Sequence, residues 1–526
     1  MEQRFVRSLL KPSAYAESTS TVELIQTHVS YIFLTDDHAY KVKKPVDFGF
    51  LNFATLDRRR FYCDEEVRLN RRLCPSIYLG VMEVRETAAG GAAFFGEGPV
   101  IDYAVKMKRL PAERMLDRLL AAGRVGRDDV RTIAGTIADF HLRAERNGEI
   151  AACGSLDAIR SNWDENFGQS RSFCGATIRG RDFLLIEQWV ERFLKEHSAL
   201  FAGRVAGGFI RDGDGDLHLE NISLGEDGSV CIFDCIEFNT RFRYGDTAAD
   251  IAFLLMDFDF HGRPDLSELF LDEYVRATGD GEVRPVVDFY KVYRAYVRGK
   301  VESMRMADLQ IPEPERNAAR ERASRYFRLA RGYIVRGTLP KTLIITCGPT
   351  GSGKSFAARE ISRELGLEII SSDVIRKELA GLSPRDRRSE SFGEGIYCAA
   401  ATARTYAELL NRAEERLAAG RGVIVDATLR HTADRAPFRQ LAARHGARFH
   451  IIHAICPEEL LRQRLEARRR DPAEPSDGRW EVYLHQRDDF EPPTAGEGNL
   501  LTVDTSGTAA EIADALLEGM GILPCG

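Results

Sequence analysis

The chain has 526 residues, of which 44% are hydrophobic and 29% charged. That is too long for one ordinary core, so two or more globular domains are expected. A net charge of -7 argues against a general nucleic-acid or membrane-surface binder.

The opening stretch, MEQRFVRSLLKPSAY, lacks the apolar core of a secretory signal. No apolar run reaches the roughly 20 residues needed to span a bilayer. The ten cysteines are scattered without zinc-type spacing. Cys231 and Cys235, which flank an apolar strand, are expected to be buried thiols. A reduced, cytoplasmic protein is the expectation.

In chain order, residues 20–45 alternate like a hairpin, VELIQTHVSYIFL and HAYKVKKP around Thr35-Asp36-Asp37. A helix rich in Arg and Glu is predicted at 57–73, and a strand pair around 77–107. The chain then reads as mainly helical to about 200, with short strands at 205–238. Helical periodicity returns from 246 to 336, punctuated by Pro312 and Pro314. We place the domain boundary after 336, giving domains of 1–336 and 337–526. From Lys341 onward apolar strands and helices alternate, which signals a parallel sheet covered on both faces.

The most specific motif is Gly348-Pro349-Thr350-Gly351-Ser352-Gly353-Lys354-Ser355, between the strand LIITC and a predicted helix. Its glycines permit a tight loop whose backbone N–H groups surround phosphate oxygens, at the positive end of the helix. Lys354 can reach the β- and γ-phosphates, and Ser355 offers a hydroxyl to Mg²⁺. ATP and Mg²⁺ are therefore the expected cofactors. Asp373 is expected to end the next strand, in IISSDVIR, at the carboxyl edge where α/β ligands bind, and can take a proton from an attacking hydroxyl; the alternative is a helix N-cap. Arg376, one turn later, either orients an anionic substrate or is an exposed helix charge. Asp426 in VIVDAT is a second acidic residue placed to hold Mg²⁺ through water, or a cap. Arg464 and Arg468 share one face of PEELLRQRLEARRR, where they either neutralise transition-state charge or form a solvated face.

Together these segments resemble the small P-loop kinases, a group including gluconate kinase, chloramphenicol phosphotransferase, zeta toxins and polynucleotide kinase. The resemblance covers nearly all of 341–526. It implies transfer of the ATP γ-phosphate to a hydroxyl, without choosing the acceptor.

In the first domain, Asp216-Leu-His-Leu-Glu-Asn221 is followed by an apolar strand and Asp234. Such a set can assemble around metal-bound phosphates, with Asp216 orienting a hydroxyl and Asn221 and Asp234 holding Mg²⁺. Lys41 in AYKVKKP is placed to reach nucleotide phosphates, with Glu66 as its ion-pair partner. Lys43 competes, because strand alternation puts it on the same face. The bland alternative is a pair of surface charges. His218 is expected to pack or hydrogen-bond, and Asp246 and Asp250 to brace the fold.

These residues, over about 20–305, resemble the aminoglycoside phosphotransferase-like branch of the protein-kinase fold. The whole chain resembles bacterial two-domain proteins described as bifunctional aminoglycoside phosphotransferase/ATP-binding proteins, with an AAA family ATPase-type second half. The expected fold class is therefore an α+β kinase-like domain followed by an α/β P-loop domain. By resemblance, Asp216 is the catalytic base, Asn221 and Asp234 bind metal, and Lys41 and Glu66 hold nucleotide. Two departures stand out. Asp214 occupies the place of the family histidine, which should add like charge beside Asp216. No G-x-G-x-x-G covers the phosphates, and QTHVSYIF occupies that hairpin.

Tyr290, Tyr293, Arg294, Tyr296, Arg298 and Lys300 crowd one helix, read chiefly as an amphipathic support rather than as a pocket lining. The leading function is phosphorylation of a small hydroxyl-bearing molecule by the second domain, with the first domain a second phosphotransferase. The alternatives are a regulatory pseudokinase module in the first half, or a kinase of nucleic-acid 5′-hydroxyls.

Overall fold

The computed structural model describes residues 2–49, 51–383, 395–470 and 480–523. The side chains of Glu2 and residues 468–470 are outside that description. The chain divides into two units, residues 1–179 with 187–326, and residues 180–186 with 327–526. Among the described residues no helix is long and apolar enough to cross a membrane.

The first unit opens with an antiparallel sheet of six strands. These are β1 (Glu23–Gln26), β2 (Ser30–Leu34), β3 (His38–Lys43), β4 (Tyr78–Glu86), β5 (Ala92–Ala93) and β6 (Val100–Lys108). They lie in the order β1-β2-β3-β6-β4-β5. The stretch expected as one strand, VELIQTHVSYIFL, is instead two strands that pair with each other, Gln26 opposite Tyr31. Thr27 causes the break: its hydroxyl accepts the N–H groups of Val29 and Ser30, so the side chain closes a tight turn.

Period-two alternation gives β3 two different faces. Tyr40 and Val42 enter an apolar cluster with Phe33, Phe94 and Tyr15. Lys41 and Lys43 point the other way, toward the helix Leu56–Asn70, which carries Glu66. That helix is capped by Thr55, whose side chain accepts the Arg58 N–H, and its Cys63 and Val67 pack on Tyr78 and Val105. The rest of the unit is mainly helical. It includes four short strands, β7 (Ile210–Asp212), β8 (Ile222–Leu224), β9 (Val230–Ile232) and β10 (Tyr244–Asp246). β7 pairs with β10 and β8 with β9. Cys231 on β9 is bonded to Cys74 in a disulfide, so the expectation of a thiol there is corrected, whereas Cys235 is a buried free thiol. The partner of Cys231 lies 157 residues away, a pairing only the folded chain reveals.

The second unit is built on a parallel sheet in the order β12-β13-β11-β14-β15. Its strands are β11 (Thr342–Cys347), β12 (Glu368–Ser371), β13 (Val423–Asp426), β14 (Arg448–Ile455) and β15 (Asn499–Asp504). Every residue of β11 is buried, as both covered faces demand. Ile344 packs with the helix Lys354–Leu365 on one face, through Ala357, Ala358 and Ile361. Leu343 and Ile345 pack with Leu409, Ala413 and Phe438 on the other. The sheet is thus a three-layer α/β core, with its strand ends delivering loops to one edge.

Candidate functional sites

In the second unit the chain leaves β11 and turns through Gly348–Gly353 into the helix Lys354–Leu365. Gly348, Gly351 and Gly353 have φ of 133°, 83° and 91°, a region that L side chains rarely occupy. Close packing reinforces the requirement at Gly353, where an added Cβ would lie 2.4 Å from the Thr505 hydroxyl. Gly353 is the N-cap and no side chain caps the helix, which leaves its first N–H groups directed at the loop. Lys354 Nζ donates to the Pro349 carbonyl at 2.8 Å, and the Thr350 N–H donates to Gln486 Oε1 at 2.7 Å. Sequence reasoning missed Gln486, which sits 136 positions away in no recognisable motif.

Asp426 ends β13, the neighbour of β11. The Thr346 hydroxyl donates to its Oδ1 at 3.1 Å. The capping alternative does not apply, since the next helix starts at Thr432 with His431 as its cap. Asp373 does not end a strand, since β12 stops at Ser371; it is the second residue of the helix Ser372–Leu379, whose cap is Ser371, so it is not a cap either. Arg376 is buried, stacked over Tyr397, and donates to the Ile396 carbonyl and the Thr402 hydroxyl at 2.7 and 3.1 Å. The reading of it as an exposed helix charge is therefore corrected. Arg464 donates to Thr505 Oγ1 and to the Thr505 carbonyl at 2.8 and 2.6 Å, and the Thr505 hydroxyl donates to the Ser352 carbonyl. Thr505, also missed, links this arginine to the loop. The side chain of Arg468 lies outside the described residues.

The donor set fits Mg²⁺, which favours one or two carboxylates plus substrate phosphates over a protein cage. Among the described residues no three His, Cys, Asp or Glu side chains gather as a metal site. Asp426, with the Ser355 hydroxyl, is the pair that would hold the ion.

The site in the first unit is made of side chains. Lys41 Nζ is 2.9 Å from Glu66 Oε1 and 2.5 Å from Asp234 Oδ1. Lys43 shares Glu66 at 2.6 Å and also pairs with Glu237. The two lysines do not compete for Glu66, because one carboxylate oxygen serves each. Glu66 is fully buried and the Lys41 side chain is only 12% exposed, so the surface-charge alternative for that pair is excluded. Burial would raise the Glu66 carboxyl, but Lys41 and Lys43 outweigh it and hold the group down at about 2. Both lysines are in turn held above their ordinary range: burial alone would lower them, and the surrounding carboxylates overcome it. Glu237 had no sequence signal beyond its place three residues after Asp234. Asp234 itself adopts φ 65°, and its N–H donates to the Tyr78 hydroxyl.

Asn221 Nδ2 donates to the carbonyl and to Oδ2 of Asp216, at 3.0 and 3.2 Å. The contact ties the amide nitrogen to Asp216. His218 Nε2 is 3.5 Å from Asp216 Oδ2, and the ring is buried against Phe253, as the packing expectation had it. Removal from water pushes Asp216 up, but His218, Arg298 and Arg294 outweigh it and hold its carboxyl below the ordinary range. Asp216 is thus kept ionised.

Asp214 corrects another expectation. Burial first, then Asp250 and Asp216, push its carboxyl up to about 8. It is neutral near pH 7 and adds no like charge beside Asp216. Its Oδ1 accepts the Asp216 N–H at 3.1 Å, so it shapes the loop through a hydrogen bond. Asp250 accepts the N–H groups of Asp214 and Gly215, both at 2.8 Å, and contacts His141. Asp246 pairs with buried Arg204. Both brace the fold, as expected. In the helix Arg284–Ala307, Tyr290, Tyr293, Arg294, Arg298 and Lys300 line a cavity, whereas Tyr296 is buried away from it. The support reading was only half of its role.

An AAA domain family model matches residues 343–493. An uncharacterized protein of Mycobacterium tuberculosis (strain H37Rv) is 33% identical over 450 residues, covering 85% of this chain and 86% of that protein. A UPF0200 protein of Aeropyrum pernix is 35% identical over 159 residues, covering 28% of this chain and 74% of that protein. Among solved structures, a gluconokinase from Sinorhizobium meliloti aligns at 24% identity and TM-score 0.25, covering 35% of this chain and 93% of its own. The GDP complex of aminoglycoside 2'-phosphotransferase-IIIa aligns at 14% identity and TM-score 0.33, covering 59% of this chain and 94% of its own.

Proposed function

The chain belongs to the family of the Mycobacterium tuberculosis protein that it matches over most of both lengths, and from that premise we propose that it is an ATP-dependent phosphotransferase with two nucleotide-handling units. In the second unit the loop Gly348–Ser355 holds the triphosphate. Its backbone N–H groups and the uncapped helix start supply positive potential where the β- and γ-phosphates lie. Lys354 neutralises the γ-phosphate, and Asp373 takes the proton of an acceptor hydroxyl on a small molecule. Arg464 and Arg468 offset the charge that spreads over the transferring group. Mg²⁺, held by Ser355 and Asp426, supplies further charge neutralisation when bound.

The first unit is read as a second phosphotransferase. Lys41, positioned by Glu66, holds nucleotide phosphates, Asn221 and Asp234 hold Mg²⁺, and Asp216 is the base. The observation that carries the reading of the second unit is the positive-φ glycine loop seated between β11 and a helix with no side-chain cap. The test is ATP binding and turnover, with Mg²⁺, for the wild type, Lys354→Ala and Asp216→Ala. Loss of a separate share of turnover in each variant supports two working sites. Loss in Lys354→Ala alone reduces the first unit to a binding module, and a wild type that ignores ATP sinks the proposal.

A further inference from the structure

A cavity of about 410 Å³ opens beside Asp216 in the first unit, within the range of small-molecule sites. Asp216 is part of its wall, whereas Lys41, Glu66, Asn221 and Asp234 are not. The cavity is therefore separate from the groups read as holding nucleotide, and the two regions meet at the proposed base. That places it where an acceptor would wait.

Its charge is the informative feature. Six Lys and Arg side chains line it against four Asp and Glu, and the carboxylates other than Asp216 are already engaged. Glu165 pairs with Arg241, Asp246 with Arg204, and Asp250 with His141 and two backbone N–H groups. Four cations lack such close pairing, and one of them, Arg211, donates to the Ala144 carbonyl at 3.0 Å. Lys300 Nζ is satisfied by two neutral oxygens, Asn166 Oδ1 and Gln169 Oε1, both at 2.7 Å. Arg294 donates to the carbonyls of Ala249 and Gly215 at 2.9 Å, with Asp250 no nearer than 4.0 Å. Arg298 has its closest carboxylate, Glu220, at 3.7 Å, and its Nε has no hydrogen-bond partner. The buried indole N–H of Trp163, also in the wall, has none either. Orphaned donors of this kind are costly unless a ligand engages them. Trp163 and Tyr293 stand edge to face at 5.3 Å and offer an apolar wall for a ring.

Resting on the phosphotransferase reading of this unit, we propose that the cavity admits an anionic acceptor, a small phosphate monoester that carries a ring and a free hydroxyl. Lys300, Arg294 and Arg298 take the phosphate, Trp163 and Tyr293 take the ring, and the hydroxyl faces Asp216. A phosphate monoester is close to doubly charged at neutral pH, which suits several cations better than a single carboxylate does. A protonated polyamine such as an aminoglycoside would instead meet three cations at close range. In the transfer, the acceptor oxygen bonds to the γ-phosphorus of ATP. The bond from that phosphorus to the β–γ bridging oxygen breaks, ADP leaves with the electron pair, and the hydroxyl proton passes to the Asp216 carboxylate.

The test uses the full-length Lys354→Ala protein, so that the P-loop does not answer for the phosphate. Glucose 6-phosphate, ribose 5-phosphate and the nucleoside 5′-monophosphates are each titrated calorimetrically beside the unphosphorylated parent. At least one monoester should bind more than tenfold tighter than its parent. Lys300→Gln should erase most of that difference, and Lys300→Arg should keep it. In the binding measurements the proposal is overturned if no monoester outbinds its parent, if the difference survives both Lys300→Gln and Arg298→Gln, or if an aminoglycoside displaces the monoester. Binding that persists in Asp216→Asn without transfer in any variant refutes the phosphotransferase reading and leaves the anionic cavity standing. Transfer to an uncharged or polycationic acceptor refutes the cavity assignment and leaves the transferase.

Discussion

The candidate sites of the two units are built from opposite materials. The second uses backbone. The loop Gly348–Gly353 leads into a helix that no side chain caps, and glycine is required at Gly353 because φ is positive and Thr505 stands close. The first uses charged side chains drawn from four places in the chain: Lys41 and Lys43, Glu66, Asp216 with Asn221, and Asp234 with Glu237. A backbone site has fixed partial charges and little to titrate. A side-chain site must keep buried charges paired, which makes it sensitive to pH and to single substitutions. The comparison teaches that a local motif tolerates change around it, whereas a dispersed charge cluster is stable only as a set.

The sharpest break in that contrast is Asp216→Asn. It should lower the share of turnover due to the first unit by about 100- to 10,000-fold, the range for a lost general base, with the melting temperature little changed. Single-turnover transfer assays with the Lys354→Ala protein would read it. Next in size is Glu66→Gln, which leaves Lys41 and Lys43 buried with one fewer carboxylate. Removing one partner of a buried ion cluster costs about 3–5 kcal/mol, so calorimetry should show the first unit melting early while the second keeps its transition. Because the Glu66 carboxyl is depressed to about 2 from its ordinary 4.5, its contribution is present above the unfolded value. It is lost as pH falls toward 2.

A smaller effect is expected from Gly353→Ala. The added Cβ meets Thr505, and the backbone strain is worth about 1–3 kcal/mol, so ATP affinity at the P-loop should fall roughly tenfold or more with no change in the first unit. The smallest is Asp214→Asn. A carboxyl raised to about 8 stabilises the fold fully below its unfolded value near 3.8, and that stability is lost as pH rises through 8. The variant should therefore gain melting temperature over wild type as pH climbs from 5 to 8, and hold the gain above. A gain that does not grow with pH would mean Asp214 is ionised in the fold, returning the like charge beside Asp216.

How much was legible follows from the same contrast. The P-loop, its strand and its helix could be read because sequence neighbours are spatial neighbours there. Lys41 and Lys43 could be placed on one strand face, since alternation has a period of two, but only packing showed that Glu66 divides its two oxygens between them. The Cys74–Cys231 bond, the Gln486 contact to Thr350 and the neutral state of Asp214 left no local trace. Each depends on what a distant segment brings, or on water being removed. Arg376 illustrates the error that follows: a charge at the fifth position of a helix reads as exposed until Ile396 and Tyr397 are seen to cover it.

The sequence by itself determined the alternation of strands and helices after Lys341, the phosphate loop and the residue types available for transfer. Those features follow from hydrophobic period and glycine geometry, which act between near neighbours. Tertiary structure alone decided which charges are buried together, which carboxyl stays protonated, and that one face of the helix Arg284–Ala307 lines a cationic cavity rather than only supporting the fold. Charge burial and desolvation are properties of an environment, and the environment is assembled from residues that the chain order keeps far apart.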